Sequence, residues 1–148
     1  MLAMTCSPRA QQGSMLLEAL IAILIFSMGI LSIVGLQATS IRLSTDAKYR
    51  SEASSLANQL IGQMWVSDRA SAVTLSNNFS NPSGTSYTSW ASGVQTTLPG
   101  VSVASGTLPT VEILTPAGAT QGQVTVNIFW QMPGEATRHN YTAIAQIQ

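Results

Sequence analysis

Residues 14–36 read SMLLEALIAILIFSMGILSIVGL, and Glu18 is the one charged side chain between Arg9 and Arg42. A run this apolar has two places to go, a bilayer or the middle of a bundle of similar helices. As a helix at ~1.5 Å per residue it measures about 34 Å, enough to cross a hydrocarbon core of roughly 30 Å. The remaining composition agrees that something here avoids water: charged residues make up 8 % of the 148-residue chain, where about 25 % is usual for soluble domains. Six basic residues balance six acidic ones, so the chain carries no basic field for gripping nucleic acid, and no nucleic-acid partner is expected. The single cysteine, Cys6, excludes an internal disulfide framework, and with the single histidine, His139, it excludes a Cys- or His-rich metal centre. The acids beyond the apolar run are Asp46, Glu52, Asp68, Glu112 and Glu135. No motif sets any of them, or His139, as a base beside a nucleophile, so no catalytic residue, cofactor or metal is assigned. The chain reads as a protein of placement and assembly rather than an enzyme.

A cleaved secretory signal fits poorly: the apolar run is longer than an ordinary signal core, it carries a carboxylate, and no small-x-small box follows it. A plain membrane anchor explains the run but not what precedes it, namely Gln11, Gln12, Gly13, Ser14, Met15, Leu16, Leu17 and Glu18. A polar leader, a glycine, and a glutamate five positions later at the head of an apolar helix closely resemble the class III signal of type IV prepilins. The resemblance implies that a prepilin peptidase cuts between Gly13 and Ser14 on the cytoplasmic side, so that the leader, residues 1–13, departs with Cys6 while the helix is retained. It also makes Ser14 the candidate for N-methylation, although the family most often has Phe or Met there. Glu18 takes the position whose carboxylate is paired, in pilins, with the terminal amine of a neighbouring subunit. Elementary chemistry suits these roles. Glycine leaves the backbone open to close approach by the peptidase. A new amine on Ser14 lies one helical turn from Glu18 on the same face, and a buried ammonium and a buried carboxylate each need the other.

Beyond the apolar run, Tyr49, Ala53, Leu56, Ala57, Leu60, Ile61 and Met64 recur on a helical period. No proline stands between Pro8 and Pro82, so one helix over 14–67 is expected, its first part, 14–36, forming the transmembrane segment or filament core. Gly29 and Gly35 are the places where such a helix would loosen. Residues 68–110 are crowded with Ser, Thr, Asn and Gly, with turn signals at Asn81, Pro82, Ser83 and Gly84 and at Leu98, Pro99 and Gly100, and read as a loop-rich connector. Tyr87 and Trp90 are expected to pin it to the helix or the sheet.

Residues 111–148 read as a small sheet: a short strand over 111–114, alternation over 123–132, a turn at Pro133 and Gly134, and alternation again from residue 140. In that terminal hairpin, Trp130 should share a face with Ala143 or Tyr141 and Phe129 the other with Ile144, so the numbers of opposed residues should sum to an odd value. His139, beside the turn with Glu135 and Arg138, reads as a surface residue. The acceptor patterns at Asn78 and Asn140 are given no role.

The expected fold is therefore α+β and pilin-like, a long hydrophobic N-terminal helix packed on a small C-terminal antiparallel sheet. A closer resemblance lies in Gly35, Leu36 and Gln37 after the span and in Tyr49, Arg50 and Ser51, which look like the PilV type of type IV pilus minor pilin. It covers about residues 13–69. It implies a low-copy, single-pass subunit of a bacterial inner membrane, its C-terminal domain periplasmic, that helps prime the pilus and so supports twitching motility. The implied partners are the prepilin peptidase, other minor and major pilins, the inner-membrane assembly platform, a tip adhesin and the lipid bilayer. The alternative is a type II secretion pseudopilin, which shares the leader, the helix and the assembly logic.

Overall fold

The computed structural model describes residues 12–67, 72–114 and 122–147; residues 1–11, with Cys6 and Arg9, lie outside them. Helix α1 spans Gln12–Val66, two residues earlier at its start than the sequence suggested and unbroken at Gly29 and Gly35. The chain divides into two units, at Thr45 and Asp46.

In the first unit every described side chain from residue 14 to residue 44 is exposed. Helix formation there is favoured by Leu and Met, which are not branched at Cβ, by Ala, and by the absence of proline. Several of its hydroxyls are turned inward on the backbone, Ser27 donating to the Ile23 carbonyl at 2.7 Å, Ser32 to Met28 at 2.9 Å, and Thr39 to Gly35 at 3.2 Å. Thr45 does the same to Ile41 at 2.8 Å. Each of these donors is satisfied one turn back along its own helix.

The second unit is a three-stranded antiparallel sheet, in the order β1-β2-β3, with helices on its apolar side. The strands are β1 (Thr110–Leu114), β2 (Gly122–Trp130) and β3 (His139–Ile147). The expected stripe on α1 is the seat of the core: Ala53, Ala57, Leu60 and Met64 are fully buried, with Tyr49, Leu56 and Ile61 packed at its margin. Facing them, β2 contributes Val124, Val126, Ile128 and Trp130, each 0 % exposed. Full burial of one such side chain stabilises by about 1.5–3 kcal/mol. The helix stops where Ser67 satisfies its last turn, through its amide to Gln63 at 3.0 Å and its hydroxyl to Met64 at 2.9 Å.

The hairpin has the expected register. Val126 opposes Ala143, Ile128 opposes Tyr141 and Phe129 opposes Asn140, odd sums throughout, so Trp130 shares its face with Tyr141 and Ala143 and Phe129 shares the other with Ile144.

The expected loop-rich connector over 68–110 is corrected. It holds two helices, α2 (Ala72–Phe79) and α3 (Thr85–Thr97). Ser, Thr and Gly are indifferent helix formers, but Tyr87, Trp90, Ala91 and Val94 fall at i, i+3, i+4 and i+7 and are all buried, and burial of that stripe overrides propensity. The turn signals are real punctuation between the new elements. Gly84 caps α3 where an added Cβ would strike the Asn78 carbonyl and the Phe79 amide. Gly100 takes φ +71° in the turn after α3, where Pro99 accepts the Gln131 amide at 3.0 Å. Both aromatics pin the segment as expected: the Trp90 indole donates to the Leu56 carbonyl of α1 at 2.9 Å, and the Tyr87 hydroxyl to Pro109, just before β1, at 2.7 Å.

Candidate assembly site

Gly13, Ser14 and Glu18 all fall in the opening turns of α1. The Gly13–Ser14 bond lies in the first turn, whose N–H groups have no partner within the helix, so unwinding it locally breaks few hydrogen bonds. Ser14 and Glu18 are one turn apart on one face, with Cβ atoms about 5–6 Å apart in such a spacing. That face is otherwise apolar: Met15 and Ile21, three residues either side of Glu18, are 73 % and 50 % exposed. Among the described residues no cation lies within ion-pair distance of Glu18. A helix beginning at Ser14 would also bring Glu18 closer to a positive helix end than one beginning at Gln12.

The apolar run is long and apolar enough to cross a membrane. Two of the basic residues beyond it, both exposed, stand near acids one turn away on α1, Lys48 with Glu52 at 3.7 Å and Arg50 with Asp46 at 4.0 Å.

A second polar group was not foreseen. His139, read as a surface residue, is only 21 % exposed in its side chain and lies stacked on Trp130, with ring centroids 5.7 Å apart and planes 16° from parallel. Its Nδ1 is 3.4 Å from Asp46 of α1 and its Nε2 3.1 Å from Glu135 of the β2–β3 turn. The group therefore ties the start of α1's packed half to the hairpin. Its one sequence signal was the odd-sum register of the hairpin, which sets Trp130 and His139 on one face, and the structure pairs them directly. Three side chains converge there, yet no cluster of His, Cys, Asp and Glu among the described residues is arranged to hold a metal.

Comparison with protein-family models, with curated proteins and with solved structures gave no match.

Proposed function

We propose that the chain is the precursor of a minor pilin, anchored by one span in a bacterial inner membrane and active in assembling and priming a type IV pilus. The observation that carries the reading is the placement of Glu18: one carboxylate on an exposed apolar helix, four residues beyond Ser14 and without a cation partner among the described residues. Such a charge is costly in hydrocarbon and becomes favourable when a neighbouring helix brings an amine to it, so the residue rewards lateral assembly over solitary residence in lipid. The glycine immediately before Ser14 supports the complementary step, in which a prepilin peptidase exposes that amine. The exposed flank of α1 supports helix-to-helix packing with other pilins, and the compact sheet unit suits the periplasmic side.

Intact-mass analysis of the protein extracted from membranes tests this reading. The expected mass lacks residues 1–13, with or without one added methyl group on Ser14. A Gly13→Leu variant should retain the full precursor mass, and normal processing of that variant would refute the assignment. Twitching and secretion assays of a deletion strain separate a pilus from a secretion pseudopilus.

A further inference from the structure

Charge is scarce in the second unit: residues 70–111 and 113–134 carry none. Two of its carboxylates nevertheless close on one imidazole from opposite sides. Glu135 Oε2 lies 3.1 Å from His139 Nε2 with hydrogen-bond geometry, and Asp46 Oδ1 lies 3.4 Å from Nδ1. That Asp46 oxygen is buried and has no hydrogen bond, and a buried carboxylate oxygen without a donor is costly. The ring itself rests on Trp130 at 5.7 Å between centroids, near enough for the indole face to attract a cation.

The other ionisable groups nearby leave the oxygen to the ring. On α1, Arg50 stands 4.0 Å from the other oxygen of Asp46, while Lys48 is 3.7 Å from Glu52 and lies over the Tyr49 ring. On the β2–β3 turn, Arg138 donates to the Ser105 carbonyl at 2.6 Å. On β3, the Tyr141 hydroxyl accepts from Ser54 at 3.2 Å. An imidazole with one proton donates to one carboxylate and turns a lone pair to the other, whereas with two protons it donates to both. Here the Glu135 contact is a hydrogen bond and the Asp46 contact is not, the pattern of a ring whose single proton is on Nε2. A second proton would enter at Nδ1, facing Asp46.

We propose that His139 is a proton-operated latch, which fastens the first turn of α1 within the second unit to the β2–β3 hairpin when its ring carries two protons and releases that turn when it carries one. Asp46 is the first residue of the unit. Ala53 is the first fully buried residue of α1, and upstream of it Tyr49 is the one apolar side chain packed on the core, so this turn depends on its polar tie. The working window is about pH 5–8, where an imidazole ordinarily changes charge and carboxylates ordinarily do not. The tie to Asp46 is made at the acid end of that window and lost at the alkaline end, while the Nε2 bond to Glu135 persists throughout. The inference stands on the second unit alone and does not depend on the pilin reading.

His139 is the only histidine in the chain, so isotope-labelled histidine reports on this ring alone. Nuclear magnetic resonance of the full chain in detergent micelles is expected to show protons on both ring nitrogens at about pH 5.5, the one on Nδ1 slow to exchange, and a proton on Nε2 alone at about pH 8. A double-mutant cycle of Asp46→Ala and His139→Phe, the latter keeping an aromatic ring against Trp130, measures the coupling of the pair by urea unfolding. The coupling is expected to change the unfolding constant by about tenfold at about pH 5.5 and by less than about twofold at about pH 8. A contact that is merely structural would couple equally at both. The proposal is overturned if the coupling does not change with pH, if the ring carries the same number of protons across the window, or if its single proton at about pH 8 sits on Nδ1. Should either variant fail to fold, the parent decides alone: without a slowly exchanging Nδ1 proton at about pH 5.5 the latch does not exist.

Discussion

At the level of single residues, two side chains make opposite uses of burial. On the proposed reading Glu18 is a charge buried only with a partner, and its loss should then be felt only on assembly. Glu18→Ala is expected to be processed and retained in membranes normally, yet to be scarce among sheared pili, because the neighbour's amine would be left alone in an apolar packing, a deficit of about 3–5 kcal/mol for a broken buried pair. Immunoblots of sheared fractions beside intact-mass data check this, and recovery equal to the parent would return Glu18 to an interfacial helix-start residue. Tyr87 is already buried, and burial pushes its hydroxyl above the ordinary value of 10.0. The folded chain therefore holds that proton more tightly than the unfolded chain, so the associated stability is complete below pH 10 and is lost as pH rises through the raised value. Tyr87→Phe should remove this alkaline decline. It should also lower stability near neutrality by about 1–3 kcal/mol, since the Pro109 carbonyl loses its donor. Chemical denaturation at pH 7 and above pH 10 measures both effects.

Among the elements, α1 and the hairpin were readable because their signals are periodic over long stretches. Met64 and Leu60 fell on a 3.6-residue stripe, and Val126 and Ile128 on a two-residue alternation, each with one buried face to enforce it. Helix α3 was hidden because its apolar stripe is only four residues, set in a background of Ser, Thr and Gly whose texture signals turns. The proposed assembly site at Gly13, Ser14 and Glu18 rests on resemblance alone, whereas the Asp46–His139–Glu135 group had no such signal, since it joins residues from three places that only folding brings together. The helices carry their own tests. A Cβ added at Gly93 of α3 or Gly62 of α1 meets nothing within 4 Å, so Gly93→Ala and Gly62→Ala should each raise stability by about 0.5–1 kcal/mol. Met64→Ala, by contrast, empties a fully buried site and should cost about 2–5 kcal/mol. Thermal melts of the three variants rank them, and destabilisation by either alanine at a glycine would contradict the open space seen around it.

At the scale of the whole molecule, every residue of the hydrophobic core lies at or beyond Tyr49, inside the unit that begins at Asp46. A fragment of residues 46–148 is therefore expected to remain folded in plain buffer and to melt in one cooperative step, while the full chain needs detergent to stay dispersed. Circular dichroism and gel filtration of the two forms test this, and a fragment without a cooperative transition would place essential packing upstream. The hydroxyls of Ser27, Ser32, Thr39 and Thr45, each bonded to its own helix, have a consequence for how the upstream half changes surroundings. Under the proposed assembly, moving the rod from fluid acyl chains into a lattice of protein neighbours would strip none of these four hydroxyls of its hydrogen bond and ask none of them for a new one. Transfer is then nearly neutral along most of the rod, decided by shape and dispersion, and readily reversed. Under the proposed assembly Glu18 is the one charged side chain of residues 14–41, so a single carboxylate would set the direction of traffic for that stretch.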